Sequence, residues 1–201
     1  TMAITALVAR RIGEKDPEQA AHTAVQAIYI SFAISLPISA GGIIWAKDLL
    51  RLMGGSESLI QTGYGYTEIL FGGNATIMLL FVINAIFRGA GDAIIAMRAL
   101  WFANSINIVL DPCFIFGLGP FPELGVSGAA VATTIGRGLG VVYLLWILFS
   151  GKHRIKVMRK QLYLDFKIIG QIIRVSFGGI LQYLVATASW IALVRIVAIF
   201  G

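Results

Sequence analysis

The stretch ALWFANSINIVLDPCFIF, residues 99–116, decides the fold class, because only one of its side chains, that of Asp111, carries a charge. A helix needs about 20 mostly apolar residues to cross the hydrocarbon core of a bilayer. A stretch this long and this apolar therefore predicts a membrane-spanning helix. Its interior is unusual, because it also holds two asparagines and the aspartate.

Four more segments of this kind lie on either side of residues 99–116. They are roughly Thr23–Ala46, Tyr64–Phe87, Val126–Phe149 and Ser176–Phe200. Of the 201 residues, 58% are hydrophobic and 13% are charged, whereas soluble domains carry about 25% charged residues. The sequence predicts an all-α fold, a polytopic membrane helical bundle with five spans, and excludes a water-soluble globule or a disordered chain.

The lysine and arginine residues alternate between the two sides of the predicted bundle. Twelve of the sixteen lie before the first span, between the second and third spans, or between the fourth and fifth. Short loops rich in Lys and Arg stay in the cytoplasm, so we expect these loops to be cytoplasmic and those around Gly54 and Pro120 to face outward. This multi-pass topology in the cytoplasmic (inner or plasma) membrane, with the lipid bilayer as partner, explains the net charge of +6 without nucleic acid.

The longest basic loop, residues 151–175, ends in an amphipathic segment at 166–175. One helical face of that segment carries Ile168, Ile169, Ile172 and Ile173. This pattern is typical of an interfacial helix that lies on the cytoplasmic surface. A cytoplasmic extension of the fifth span fits the pattern equally well, and both alternatives stay open.

Polar residues inside hydrocarbon are costly, so they mark candidate functional positions. Asn104, Asn107 and Asp111 fall within roughly a 60° arc of one helix face. A carboxylate and two amides can coordinate a hard cation or hold a proton. Pro112 has no N–H and leaves the carbonyl of Ile108 without a helical partner, as in the interrupted helices of transporter ion sites. The alternative is a protonated Asp111 that only joins helices.

The fourth and fifth spans add further candidates. Arg137 lies near the middle of the fourth span, one turn after Thr133, where we expect it to face a water-filled cavity, a carboxylate or carbonyls. If the span edge is misplaced, its side chain instead snorkels to the interface. Gln182 and Tyr183 of the fifth span are candidate cavity-lining residues.

The sequence carries no signature of an enzyme. The motifs HExxH and GxSxG, the phosphate-binding P-loop and paired His/Cys spacings are all absent. His22 and His153 fall in predicted loops, where we expect them to be solvated. We expect no catalytic residues, no cofactor, and no metal beyond a possible Na⁺ at the cation site.

Four stretches together resemble the multidrug and toxin extrusion (MATE) family: TALVARRIGEKD at 5–16, NAIFRGAGDA at 84–93, NIVLDPCFIFGLG at 107–119 and ELGVSGAAVATTIGR at 123–137. The resemblance implies a twelve-helix fold in two six-helix lobes around a central cavity. It also implies export of cationic or amphipathic compounds in exchange for H⁺ or Na⁺.

On the family's pattern, residues 1–150 would form most of the N-terminal lobe, without helix one and most of helix two. Residues 151–175 would form the cytoplasmic basic loop, and residues 176–201 the first helix of the C-terminal lobe. We therefore expect an internal fragment that does not transport alone. The oligomeric state stays open.

The resemblance also assigns a cation site. Asn107 and Asp111 match an Asn and an Asp on the family's helix five, and Thr133 matches a Thr on helix six. The site's remaining acid lies on the family's helix one. Some members carry a Glu in helix seven, but the corresponding LVATAS region has none.

The expected function is that of a cation-coupled (H⁺ or Na⁺) antiporter that exports drugs or organic cations. One alternative is a flippase of lipid-linked oligosaccharides from the same superfamily, towards which only Arg137 points. The other is a non-transporting membrane scaffold, in which the polar residues only join helices.

Overall fold

The computed structural model of the chain describes residues 1–151 and 153–200, so Lys152 and Gly201 lie outside the described residues. This part of the chain is helical and contains no strand, which confirms the all-α prediction. Its α-helices are α1 Met2–Gly13, α2 Pro17–Ile44, α3 Ala46–Leu52, α4 Glu57–Gly72, α5 Asn74–Gly89, α6 Ala93–Phe116, α7 Val126–Ser150 and α8 Phe166–Phe200. A short 3₁₀ turn, Arg159–Gln161, precedes α8.

Helices α2, α6, α7 and α8 are each long and apolar enough to cross a membrane. The pair α4 and α5 supplies a fifth span when the two are counted together. The five-span prediction therefore agrees with the structure, but the second span is not the single helix expected over Tyr64–Phe87. It is two helices that meet at Gly73 with a bend of 46°.

The bend at Gly73 has a local cause. Glycine destabilises a helix interior by about 1 kcal/mol relative to alanine, and Gly72 and Gly73 are adjacent. The N–H and the hydroxyl of Thr76 both donate to the carbonyl of Gly73, at 3.0 and 2.8 Å, so α5 begins with a tight turn. Hydropathy does not reveal this break, because both of its flanks are apolar.

Helix α6, in contrast, continues through Pro112. It ends at Gly117, whose φ of 67° is left-handed and suits glycine. Pro112 cannot donate to the carbonyl of Ile108, but this loss does not end the helix. The interruption expected from the sequence is thus confined to one hydrogen bond.

The core lies where α5 meets α1, α2 and α7. Ile83, Ile86 and Phe87 of α5 and Leu144 and Leu148 of α7 are fully buried there. Small residues on α7 let α6 pack closely along it. A Cβ atom at Gly128 would lie only 2.4 Å from the carbonyl oxygen of Phe114 on α6.

The basic loops meet at one end of the bundle. Arg11 donates to Gln171 at 3.3 Å, and Lys160 forms an ion pair with Glu18. A hydrogen bond from Arg10 lowers the pKa of Glu14 at the same end. The structure thus groups the loops as the charge pattern predicts. That this end is cytoplasmic stays a prediction.

Helix α8 unites the amphipathic segment with the predicted fifth span. It runs continuously from Phe166, with no break near residue 175. Ile168 and Ile172 are buried in the core, whereas Ile173 is 57% exposed. Of the two alternatives for residues 166–175, the structure shows the helical extension.

The expectation that His22 is solvated is wrong. His22 lies on α2, is 6% exposed, and places Nε2 3.2 Å from the carbonyl oxygen of Tyr163. Gln26 donates to the same oxygen at 2.7 Å, and Tyr29 donates to the carbonyl of Leu162 at 2.8 Å. These three residues, spaced i, i+4 and i+7 on α2, fasten the segment that precedes α8.

Candidate cation site

Asn107, Asp111 and Thr133 form one polar cluster between α6 and α7. The amide nitrogen Nδ2 of Asn107 donates to Oδ1 of Asp111 at 3.0 Å and to Oγ1 of Thr133 at 3.3 Å. Asn107 and Asp111 meet because they lie one turn apart on α6. Thr133 joins them only because α7 packs against α6 at this level.

A glycine on α7 permits this close approach. A Cβ atom at Gly136 would lie 2.8 Å from the carbonyl oxygen of Ala103 and 3.4 Å from Cβ of Asn107. Contacts under 3.0 Å force a shift of one of the two groups. Gly136 therefore keeps α7 close enough for Thr133 to reach Asn107.

The cluster is half-buried rather than sealed. Among the described residues, Oδ2 of Asp111 accepts no hydrogen bond, and no Lys or Arg side chain lies within 4.0 Å of this carboxylate. Carboxylate oxygens without a basic partner are available to hydrogen-bond donors and to cations. The arrangement can therefore hold a small cation or a hydrogen-bond donor.

Arg137 is half-buried on α7, one turn from Thr133. Over the described part of the chain, it makes no salt bridge with a carboxylate. Of the environments that the sequence suggested, a carboxylate partner is thus not seen in this part. The guanidinium does not neutralise Asp111.

Asn104 does not join the cluster. Its side chain is exposed and lines a shallow groove of about 340 Å³ with Trp101, Ser105 and Ile108, on the outer side of α6. Ala103 and Asn107 instead face α7. The polar stripe predicted on α6 therefore divides, since Asn107 and Asp111 join Thr133 whereas Asn104 lines this groove.

Gln182 and Tyr183 line a different cavity. A mostly apolar groove of about 580 Å³ separates α8 from the start of α1, and both side chains border it, together with Met2, Ala6 and Thr187. The structure thus places these two residues at a groove, as the sequence suggested. That groove shares no lining residue with the Asn107–Asp111–Thr133 cluster.

Oxygen atoms dominate the candidate donor set. The cluster offers a carboxylate, an amide and a hydroxyl, the groups that hard cations prefer. Over the residues that the structure describes, His, Cys, Asp and Glu nowhere gather in groups of three. One carboxylate suits a proton or a monovalent ion better than a divalent metal, which usually needs more charge.

The fold and the cluster together define the class of protein, which is a polytopic helical membrane protein with a polar site among its apolar helices. The sequence model of the MatE family matches residues 1–113, more than half of the chain, and the chain belongs to this family. This confirms the resemblance that the sequence motifs indicated. Proteins in this family are transporters rather than enzymes.

Named relatives agree with this membership. The chain is 28% identical to "Probable multidrug resistance protein YoeA" of Bacillus subtilis over 198 residues, which are 97% of this chain and 43% of that protein. It is 34% identical to "FAD transporter" of Shewanella oneidensis over 72% of this chain and 32% of that protein.

A solved structure gives the same result for the fold. The chain superposes with a TM-score of 0.78 on a structure described as the inward-facing conformation of a multidrug resistance MATE family transporter of the MOP superfamily. The two sequences are 31% identical, and the match covers 87% of this chain and 39% of that one. The chain spans less than half the length of the relatives it matches.

Proposed function

We propose that this chain carries the cation site of a drug exporter of the cytoplasmic membrane that works by H⁺ or Na⁺ antiport. On this proposal, residues 1–150 belong to the first lobe, and α8 leads from that lobe into the second. The multidrug resistance names of several relatives support drug export. The half-buried Asp111 supports cation coupling.

The position of the Asn107 amide carries the proposal. Its Nδ2 atom lies between the carboxylate oxygen of Asp111 and the hydroxyl oxygen of Thr133, at 3.0 and 3.3 Å. Two oxygen atoms that point at one N–H donor are also arranged to point at a small cation. The amide hydrogens thus occupy the place that a coupling cation would take.

Binding of Na⁺ would require the Asn107 amide to turn, because Na⁺ needs oxygen ligands and the amide nitrogen faces the carboxylate. A protonated Asp111 becomes a hydrogen-bond donor, and it can donate to the amide oxygen once the amide has turned. The same cluster therefore offers an ion-free arrangement, with nitrogen inward, and an ion-bound arrangement, with oxygen inward. Such a two-state site is what an exchanger needs.

Antiport follows if the ion-bound arrangement disfavours the drug. By linkage, a cation that lowers the affinity for drug is itself bound more weakly when drug is present. Cation binding from outside would then release drug outward, and cation release to the cytoplasm would restore drug binding. Asp111 supplies the charge that changes between these two states.

The proposal is tested by Asp111→Asn in the complete transporter, reconstituted in proteoliposomes and assayed by efflux of the cationic dye ethidium. We expect Asp111→Asn to abolish efflux driven by a pH or Na⁺ gradient, because the variant cannot change charge. Asp48→Asn is the matched control, since Asp48 is an exposed carboxylate that forms an ion pair with Arg51. Ion-driven efflux by folded Asp111→Asn protein would refute the proposal.

A second candidate is transport of an anionic substrate, favoured by one observation. Arg137 lies one turn from the cluster without a carboxylate partner in the described part, and one relative is called a FAD transporter. Uptake assays that compare FAD, a lipid-linked oligosaccharide and ethidium separate the candidates. Arg137→Gln should reduce transport of the anions and spare ethidium if this candidate holds.

The scaffold alternative predicts a closed cluster whose polar groups saturate one another. Asp111 is half-buried, and over the described part of the chain its Oδ2 atom accepts no hydrogen bond, which does not match that description. A scaffold would also be indifferent to Asp111→Asn beyond a change in stability. The ethidium assay therefore addresses this alternative as well.

A further inference from the structure

The break between α4 and α5 is occupied by a side chain from α7. A Cβ atom built on Gly73 would lie 2.5 Å from Oγ1 and 2.6 Å from Cγ2 of Thr134, and 3.1 Å from its Cβ. The missing side chain of Gly73 thus leaves a notch, defined here as the space a Cβ atom at residue 73 would fill, and Thr134 fills it.

Thr134 cannot turn out of this notch without moving its helix. Its hydroxyl donates to the carbonyl of Ala130 at 2.8 Å, which holds the rotamer. Both γ atoms lie close to the notch, so rotation about χ1 exchanges one atom for the other rather than clearing the space. The contact between the break and α7 is therefore rigid.

The preceding residue of α7, Thr133, belongs to the cation cluster and faces a different neighbouring helix. Thr133 accepts the hydrogen bond from Asn107. Gly136, one turn along α7, packs closely against Ala103 of α6. Helix α7 is thus held between two close contacts, with α6 on the side of Thr133 and the break on the side of Thr134. A shift of α7 that satisfies one contact must strain the other.

We propose that Thr134 is a positioning residue, which uses the notch at Gly73 to set the distance from Thr133 to Asn107 and Asp111. This inference rests on the proposed function of the cluster. When the coupling ion changes the cluster, α7 shifts, Thr134 moves in the notch, and the bend between α4 and α5 changes. The angle between α4 and α5 therefore depends on whether the ion site is occupied.

The test uses ethidium efflux by the complete transporter in proteoliposomes, measured against Na⁺ concentration and against pH. Gly73→Ala fills the notch, and Thr134→Ala empties it. We expect each to raise the half-activating concentration of the coupling ion by about threefold or more, because either change moves Thr133 from its place beside Asn107; residues outside ligand contacts modulate coupling by such amounts. The double variant should return towards the wild-type value, because each change offsets the other.

Gly72→Ala is the matched control. It places the same methyl group at the same break, but its Cβ would lie 3.7 Å from Ile43, an ordinary contact. We expect no change in ion dependence from this variant. If Gly73→Ala protein does not accumulate, the shift in Thr134→Ala against an unchanged Gly72→Ala decides the question.

Unchanged ion dependence in Gly73→Ala and Thr134→Ala would overturn the inference, as would additive effects in the double variant. Either result leaves the proposed function intact if Asp111→Asn still abolishes ion-driven efflux. Ion-driven efflux by Asp111→Asn would instead refute the proposed function. The two failures are therefore distinguishable.

Discussion

The amide nitrogen of Asn107 lies 3.0 Å from a carboxylate oxygen of Asp111, one turn further along α6. The same nitrogen donates to Thr133 of α7 at 3.3 Å. One amide thus joins a carboxylate from its own helix to a hydroxyl from the next helix. A substitution of any of these three residues should therefore alter the hydrogen bonding of the other two.

The first prediction concerns the two asparagines of α6. Asn107→Ala should weaken the apparent affinity for the coupling ion about tenfold or more, because it removes the amide oxygen that faces the ion in the ion-bound arrangement proposed above. A hydrogen bond to a charged group contributes about 1.5–3 kcal/mol. Asn104→Ala should leave that affinity unchanged, since Asn104 is exposed outside the cluster. Ethidium efflux at varied Na⁺ and pH measures both. Equal effects of the two variants would contradict the assignment.

The second prediction concerns the approach of α7 to α6. Gly136→Ala should destabilise the protein by about 1–3 kcal/mol, the usual cost of an overpacked contact. It should also lengthen the bond from Asn107 to Thr133 and weaken ion binding. Gly138→Ala is the control, because its Cβ would lie 3.8 Å from Thr76.

Thermal unfolding of the purified Gly136→Ala and Gly138→Ala proteins in detergent measures the first effect. Ion-dependent efflux measures the second. If Gly136→Ala melts at the wild-type temperature, the helices have more room than the structure shows. If it is destabilised but binds the coupling ion normally, the contact is structural only.

The third prediction concerns the attachment of the segment before α8. Gln26 is fully buried and binds the carbonyl of Tyr163 and the N–H of Asp165, at 2.7 and 3.3 Å. Gln26→Ala removes both hydrogen bonds, each of which contributes about 0.5–1.5 kcal/mol. We expect faster hydrogen exchange over residues 161–166. Gln19→Ala, on the exposed face of the same helix, should leave exchange unchanged.

The fourth prediction concerns orientation. With Cys113 replaced by Ser, a single cysteine at Lys160 should react with a membrane-impermeant maleimide only from the cytoplasmic side. A cysteine at Leu118 should react only from outside, because it lies in a loop at the opposite end of α6 from the basic loops. Labelling in intact and in permeabilised cells separates the two. The reverse pattern would invert the topology that the lysines and arginines indicate.

The sequence by itself determined the properties that depend on one segment at a time. Long apolar runs require helices in a bilayer, since every backbone group must be bonded within the segment. The spacing of Asn107 and Asp111 is likewise local, because residues four apart on a helix always share a face. The span number, the grouping of the basic loops and this pair were therefore predictable.

Only the tertiary structure decided which polar groups meet across helices. Thr133 reaches Asn107 because Gly136 lets α7 approach, whereas Asn104 turns away from the cluster. Tyr163, whose carbonyl oxygen contacts His22, lies 141 positions further along the chain, so the apparent loop context of His22 was misleading. Hydropathy does not predict the break at Gly73 either. The break depends on the hydrogen bond from Thr76 and on the contact with Thr134, and neither changes how apolar the segment is.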